Sequence, residues 1–156
     1  MTINSEIQTL TKVIVHEPDN GIDHVSPEIA EELLYDDIVF LPSMIEEHYT
    51  FTQTLRMLLG NDNVCDIQQL LQDILKDEAV RNELLQYIYD TEDLSLGKYE
   101  MLKQIQPEYL AATLISGVHP ETDESVIKPL PNLVFTRDIG CVINDHLVVC
   151  KANKNA

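Results

Sequence analysis

The chain has 156 residues, of which 44% are apolar, so it is long and apolar enough to fold around one core of its own. Ten basic residues against 27 acidic ones leave a formal charge of -17, which disfavours nucleic acid and anionic membranes as partners because both would repel the surface. No apolar run approaches the roughly 18 residues of a membrane span, and "MTINSEIQTLTK" lacks the charged start and apolar block of an export signal. The cysteines Cys65, Cys141 and Cys150 are odd in number and show no zinc-type CxxC spacing. Free thiols in a cytoplasmic protein are expected, with neither a metal site nor a cofactor.

The first predicted element is a strand over Thr11 to His16, "TKVIVH", closed by the turn-forming Glu17-Pro18-Asp19-Asn20-Gly21. A short helix follows in "SPEIAEELLYDD", with Ser26 as cap and Pro27 in the first turn, and it runs into the acidic corner Asp36-Asp37. A longer helix is predicted from Ser43 to Gly60, with Met44, Ile45, His48, Phe51, Leu55 and Leu58 near one face. "NVCDI" is the next strand. Strand, helix and strand in that order predict an α/β unit. Only five glycines occur, and none forms a phosphate-binding loop after a strand.

From Ile67 to about Gly117 the period becomes helical, with Leu70, Leu71, Ile74, Leu75, Leu84, Leu85 and Ile88 at apolar positions and Gly97 and Pro107 as dividers. After the connector "VHPETDESVIKP", strands resume: "NLVF" is one, and "CVINDHLVV" reads as two around Asn144-Asp145-His146. The expected organisation is therefore 1–66, an inserted helical subdomain over 67–117, and a connector with further strands over 118–156. Such an unfinished hairpin would expose an apolar face, which predicts self-association or a complementary partner.

Arg137 and Asp138 stand between two apolar runs. A carboxylate such as that of Asp138 suits a planar guanidinium, because its two oxygens match two parallel N–H groups. Arg137 either ties to a nearby acid, with Asp36 and Asp37 as candidates, or meets a carboxylate on the same ligand. The five histidines form no recognisable metal spacing, and none pairs convincingly with a cysteine. Cys65 and Cys141 lie in apolar strand contexts and read as core thiols.

Taken together, "SEIQTLTKVIVHEP", "ELLYDDIVFLPSMIEEHYTF" and "LPNLVFTRDIG" resemble the amino-terminal portion of bacterial arginine deiminases, members of the guanidine-modifying superfamily with a pentein propeller fold. The resemblance covers essentially the whole chain. It implies a partial αβ-propeller: a first ββαβ-like unit, a helical insertion and the start of a second unit. It also implies that Asp138 binds the substrate guanidinium, with Asn132 and Phe135 shaping the pocket. Arg137 would steady the loop or the amino-acid end of the substrate. Leu34 matches a substrate-covering loop, and Asp36 and Asp37 match the acidic corner supporting it; Tyr35 stands where the family has Phe. L-arginine or another guanidino compound is the implied ligand.

In that family the cysteine nucleophile and its histidine lie nearer the carboxyl end than any position here, and "KANKNA" after Cys150 resembles neither. No catalytic residue is therefore assigned. The expectation is part of a guanidinium site without turnover, acting as a fragment, a homo-oligomeric binding protein or one piece of a split enzyme.

Overall fold

The computed structural model describes residues 7–23 and 40–150. The predicted helix beginning at Ser26, together with Leu34, Asp36 and Asp37, lies outside the described residues. Among those described, the fold is mixed α/β. Its strands form two separate pairs, one parallel and one antiparallel, and no closed sheet.

Strand β1 (Val13–Val15) and strand β2 (Val64–Asp66) pair in parallel, with Val13 opposite Val64 and Val15 opposite Asp66. A parallel pair needs a crossover, and part of it is the short helix α1 (Asn20–Asp23) and the long helix α2 (Leu41–Leu59). Pro42 sits in the first turn of α2, where its missing N–H costs nothing, so the helix begins two residues before the predicted Ser43. The buried stripe also differs from the predicted one. Only Leu41 and Thr52 are fully buried, joined by the half-buried Ile45, His48 and Leu55 at alternating four- and three-residue steps, while Phe51 and Leu58 are exposed. Thr52 can occupy the stripe because its hydroxyl shares a hydrogen bond with His48 Nδ1 at 3.3 Å.

The helical block consists of α3 (Ile67–Leu75), α4 (Glu78–Thr91), α5 (Leu96–Gln104) and α6 (Pro107–Ser116). The Asp66 carboxylate caps α3 through Gln69 N–H at 3.0 Å, and Asp77 caps α4 through Ala79 N–H at 2.9 Å. Ser95 caps α5, so the predicted divider Gly97 lies inside the first turn of that helix; the break is made by the cap. Pro107 does open α6, in the position where proline suits a helix start. Leu75, Leu85, Leu102 and Leu110 are all essentially inaccessible and form one cluster with Ile105, Leu114 and Val126.

Helix α6 ends at Gly117, whose φ of 80° is left-handed. A Cβ there would meet the Ile127 carbonyl at 2.5 Å, so only glycine lets the returning connector approach. The predicted strand "NLVF" does not form: Pro131–Val134 and Thr136–Ile139 are two successive 3₁₀ turns. Pro129 and Pro131 cannot donate to a ladder, and the amides that follow close locally, Phe135 N–H onto Asn132 and Asp138 N–H onto Phe135, each at 3.0 Å. The last predicted pair forms as a hairpin of β3 (Gly140–Ile143) and β4 (His146–Val149), with Asn144 at φ 57° in its turn. Every residue from Cys141 to Cys150 is exposed. Cys141 is thus a surface thiol, not a core one, because among the described residues β3 and β4 form a two-stranded sheet with no layer behind it to bury either face; Cys65 is half-buried on β2.

Candidate functional site

The connector after α6 delivers the 3₁₀ turns to a defined place. Val126 N–H returns to the Gly117 carbonyl at 2.8 Å, and Leu130 N–H binds the Ile115 carbonyl at 2.9 Å. The Thr136 hydroxyl then donates to the carbonyl of Ile14, the middle residue of β1, at 3.0 Å. Cys150 N–H closes the segment onto the Ile139 carbonyl at 3.0 Å. Residues 130–139 are therefore tied to α6, to β1 and to the end of the hairpin.

On this segment Asn132, Phe135, Arg137 and Asp138 are all exposed. Arg137 and Asp138 both sit on a 3₁₀ turn. The structure gathers these four residues on one short segment. Leu34, Asp36 and Asp37 lie outside the described residues. The Asp138 side chain has no hydrogen-bond or ion-pair partner among the described residues, which leaves both carboxylate oxygens open to an incoming cation.

A second constellation escaped the sequence reading. At the carboxyl ends of β1 and β2 lies a cleft of about 80 Å³ lined by Val15, Glu17, His48, Thr52, Arg56 and Asp66. His16, the residue after β1, is only 3% exposed, and its Nδ1 has no hydrogen-bond partner among the described residues. Its Nε2 lies 3.7 Å from Asp19 Oδ2, while Asp19 Oδ1 accepts the Gly21 N–H at 2.8 Å.

Burial pushes the His16 pKa below its ordinary 6.5, against the opposing pull of Asp19, Asp66 and Glu17. His48 is lowered for the same first reason and by the nearby His16, with Glu17 and Asp66 working the other way. Both imidazoles are thereby biased toward the neutral form. The signal that could have found this place is the βαβ order itself, because residues just past parallel strands line the crevice at their carboxyl ends. No group of three or more His, Cys, Asp or Glu side chains among the described residues is placed to hold a metal ion.

No helix among the described residues is long and apolar enough to cross a membrane. Comparison with known proteins gives a consistent assignment. The arginine deiminase family model matches residues 31–156. The chain is 30% identical over 168 residues to the arginine deiminase of Limosilactobacillus reuteri, covering 94% of this chain and 40% of that protein. The arginine deiminase of Limosilactobacillus fermentum is 31% identical over 172 residues, with 96% and 41% covered. That of Listeria monocytogenes is 29% identical over 169 residues, again with 96% and 41% covered. The chain spans about two fifths of the length of these curated relatives, and the match lies across most of its own residues. The chain belongs to the arginine deiminase family.

Proposed function

We propose that this chain supplies the guanidinium-recognising part of an arginine deiminase-type site and hydrolyses nothing by itself. One observation carries the reading: within a chain matched to the arginine deiminase family, the "FTRD" segment presents the Asp138 carboxylate, open and unpaired among the described residues, from a turn bonded to β1. Two parallel charge-assisted hydrogen bonds to a guanidinium are what such a carboxylate is suited to make.

In this reading Asn132 and Phe135 flank the bound group, and Arg137 steadies the turn or meets the ligand's carboxylate. Leu34 covers the ligand, with Asp36 and Asp37 behind it. The organisation is a partial pentein: a first unit over 1–66, a helical insertion over 67–117 and the start of a second unit over 118–156. The ligand is L-arginine or another guanidino compound, and the setting is the cytoplasm.

Conversion of arginine to citrulline and ammonia needs a nucleophile at the guanidinium carbon and a proton-transferring partner. These would come from residues corresponding to the part of the relatives that this chain does not span, on the same polypeptide or on a complementary one. The exposed hairpin β3–β4 favours a chain that associates, either with such a partner or with its own copies, over a self-contained binding module.

The test is citrulline formation by the purified chain, alone and mixed with the portion of the Limosilactobacillus fermentum relative beyond the aligned region. Expected is no turnover alone, weak arginine binding by calorimetry, and loss of that binding in Asp138→Asn with the circular dichroism unchanged. Turnover by the chain alone that disappears in Asp138→Ala would overturn the non-catalytic part of the proposal. Arginine affinity equal in Asp138→Asn and the parent would overturn the guanidinium part.

A further inference from the structure

We infer that Thr136 is a positioning residue for Asp138, acting through the hydrogen bond from its hydroxyl to the Ile14 carbonyl; this rests on the guanidinium reading of Asp138 given above. The bond is 3.0 Å long and joins positions 122 residues apart in the chain. Thr136 and Asp138 share one 3₁₀ turn, so fixing the first of its four residues on β1 fixes the direction in which the third projects.

The turn's own bond, Asp138 N–H to the Phe135 carbonyl at 3.0 Å, closes the local loop but does not relate that loop to the rest of the fold. The Ile14 carbonyl does so, because β1 is itself held in register by β2. Threonine suits this tether because its branched Cβ restricts χ1, which holds the hydroxyl ready to donate. A carboxylate meant to meet two guanidinium N–H groups tolerates only about 0.5 Å of displacement, so a tether two residues away governs affinity without touching the ligand.

Three variants and two measurements decide the matter. Thr136→Val keeps the shape and removes the donor, Thr136→Ser restores the donor, and Asp138→Asn tests the underlying reading. The first measurement, fast amide-exchange NMR, needs no ligand. Thr136→Val is expected to speed exchange of the Asp138 amide by about three- to ten-fold, as loss of one net hydrogen bond would. The Leu110 amide in α6, bonded to Gln106 at 3.0 Å, should be unaffected, and Thr136→Ser should return Asp138 to the parent rate.

The second measurement is calorimetric arginine affinity, expected to fall by about three- to ten-fold in Thr136→Val and to recover in Thr136→Ser. Unchanged Asp138 exchange in Thr136→Val overturns the anchoring whatever arginine does. Equal acceleration at Leu110 overturns it too, by showing a global loss of stability. Affinity lost in Asp138→Asn but kept in Thr136→Val overturns this inference alone. Affinity kept in Asp138→Asn overturns the guanidinium reading, and this inference with it.

Discussion

The helical block and the terminal hairpin are built from similarly apolar sequence and end in opposite states. In α3–α6, Leu75, Leu102 and Leu110 have no accessible surface at all. In β3–β4, Leu147 and Val149 remain 64% and 67% exposed. The difference lies in layers, not in composition. Four helices can close a core on one another, whereas two strands have two faces and need something to lie against. The largest fully buried side chains therefore gather in and against the helical block, and the candidate binding segment, residues 130–139, bridges from that region to the uncovered one.

The largest effect should come from opening the helical core. Leu110→Ala removes a fully buried side chain at the start of α6, where it packs in the same cluster as Leu75, Leu102 and Leu114. A loss of about 2–5 kcal/mol is expected in urea unfolding followed by circular dichroism. A loss below about 1 kcal/mol would mean that the block collapses around the gap and does not dominate stability.

The helical block was legible because its signal is repeated. Leu71, Leu75, Leu84, Leu85 and Ile88 all turn inward, and each reinforces the same period. Helix α2 was legible in extent but not fully in face, because its inward side includes the buried Thr52, a polar residue that hydrogen-bonds the half-buried His48 and so escapes an apolar count. The "NLVF" segment was misread for a related reason. Four residues with strand composition cannot reveal that Pro129 and Pro131 and three local amide closures favour consecutive turns. The residues of the proposed guanidinium site were named from resemblance. That Thr136 ties them to Ile14 has no sequence signature, since it joins positions 122 apart. The cleft at the ends of β1 and β2 likewise depends on which residues meet after the parallel pair forms.

That cleft supplies the intermediate effect, a pH dependence located outside the helical block. His16 has a native pKa below its ordinary 6.5, so the unfolded chain binds more protons across the interval between the two values. Stability from a neutral His16 is therefore complete above pH 6.5 and is lost as pH falls from there through the lowered native value. His48 shifts the same way and deepens the trend, while the carboxylates of Asp19, Glu17 and Asp66 limit it. Urea midpoints measured from about pH 7.5 down to about pH 5 should fall, and His16→Gln should flatten the slope. A flat profile in the parent chain would show that the surrounding carboxylates cancel the burial of the ring.

The smallest effect on folding should come from the hairpin. Leu147 and Val149 lie on one face of β4, opposite Val142 and Gly140 of β3, and none of these four is buried. Replacing both by threonine puts a β-branched side chain at each position and so preserves strand preference. With little apolar surface to re-expose, the double variant Leu147→Thr, Val149→Thr should unfold within about 0.5 kcal/mol of the parent. Sedimentation equilibrium should respond more strongly than unfolding does. If the open face is what draws a second copy or a complementary polypeptide, the variant should sediment nearer the mass of a single chain than the parent at equal concentration. A large loss of stability would instead place the hairpin in the folding unit and erase the contrast with the helical block. Unchanged self-association together with unchanged stability would show that neither hairpin side chain takes part in assembly, and the apolar residues left open on α2, Phe51, Met57 and Leu58, would become the next surface to alter.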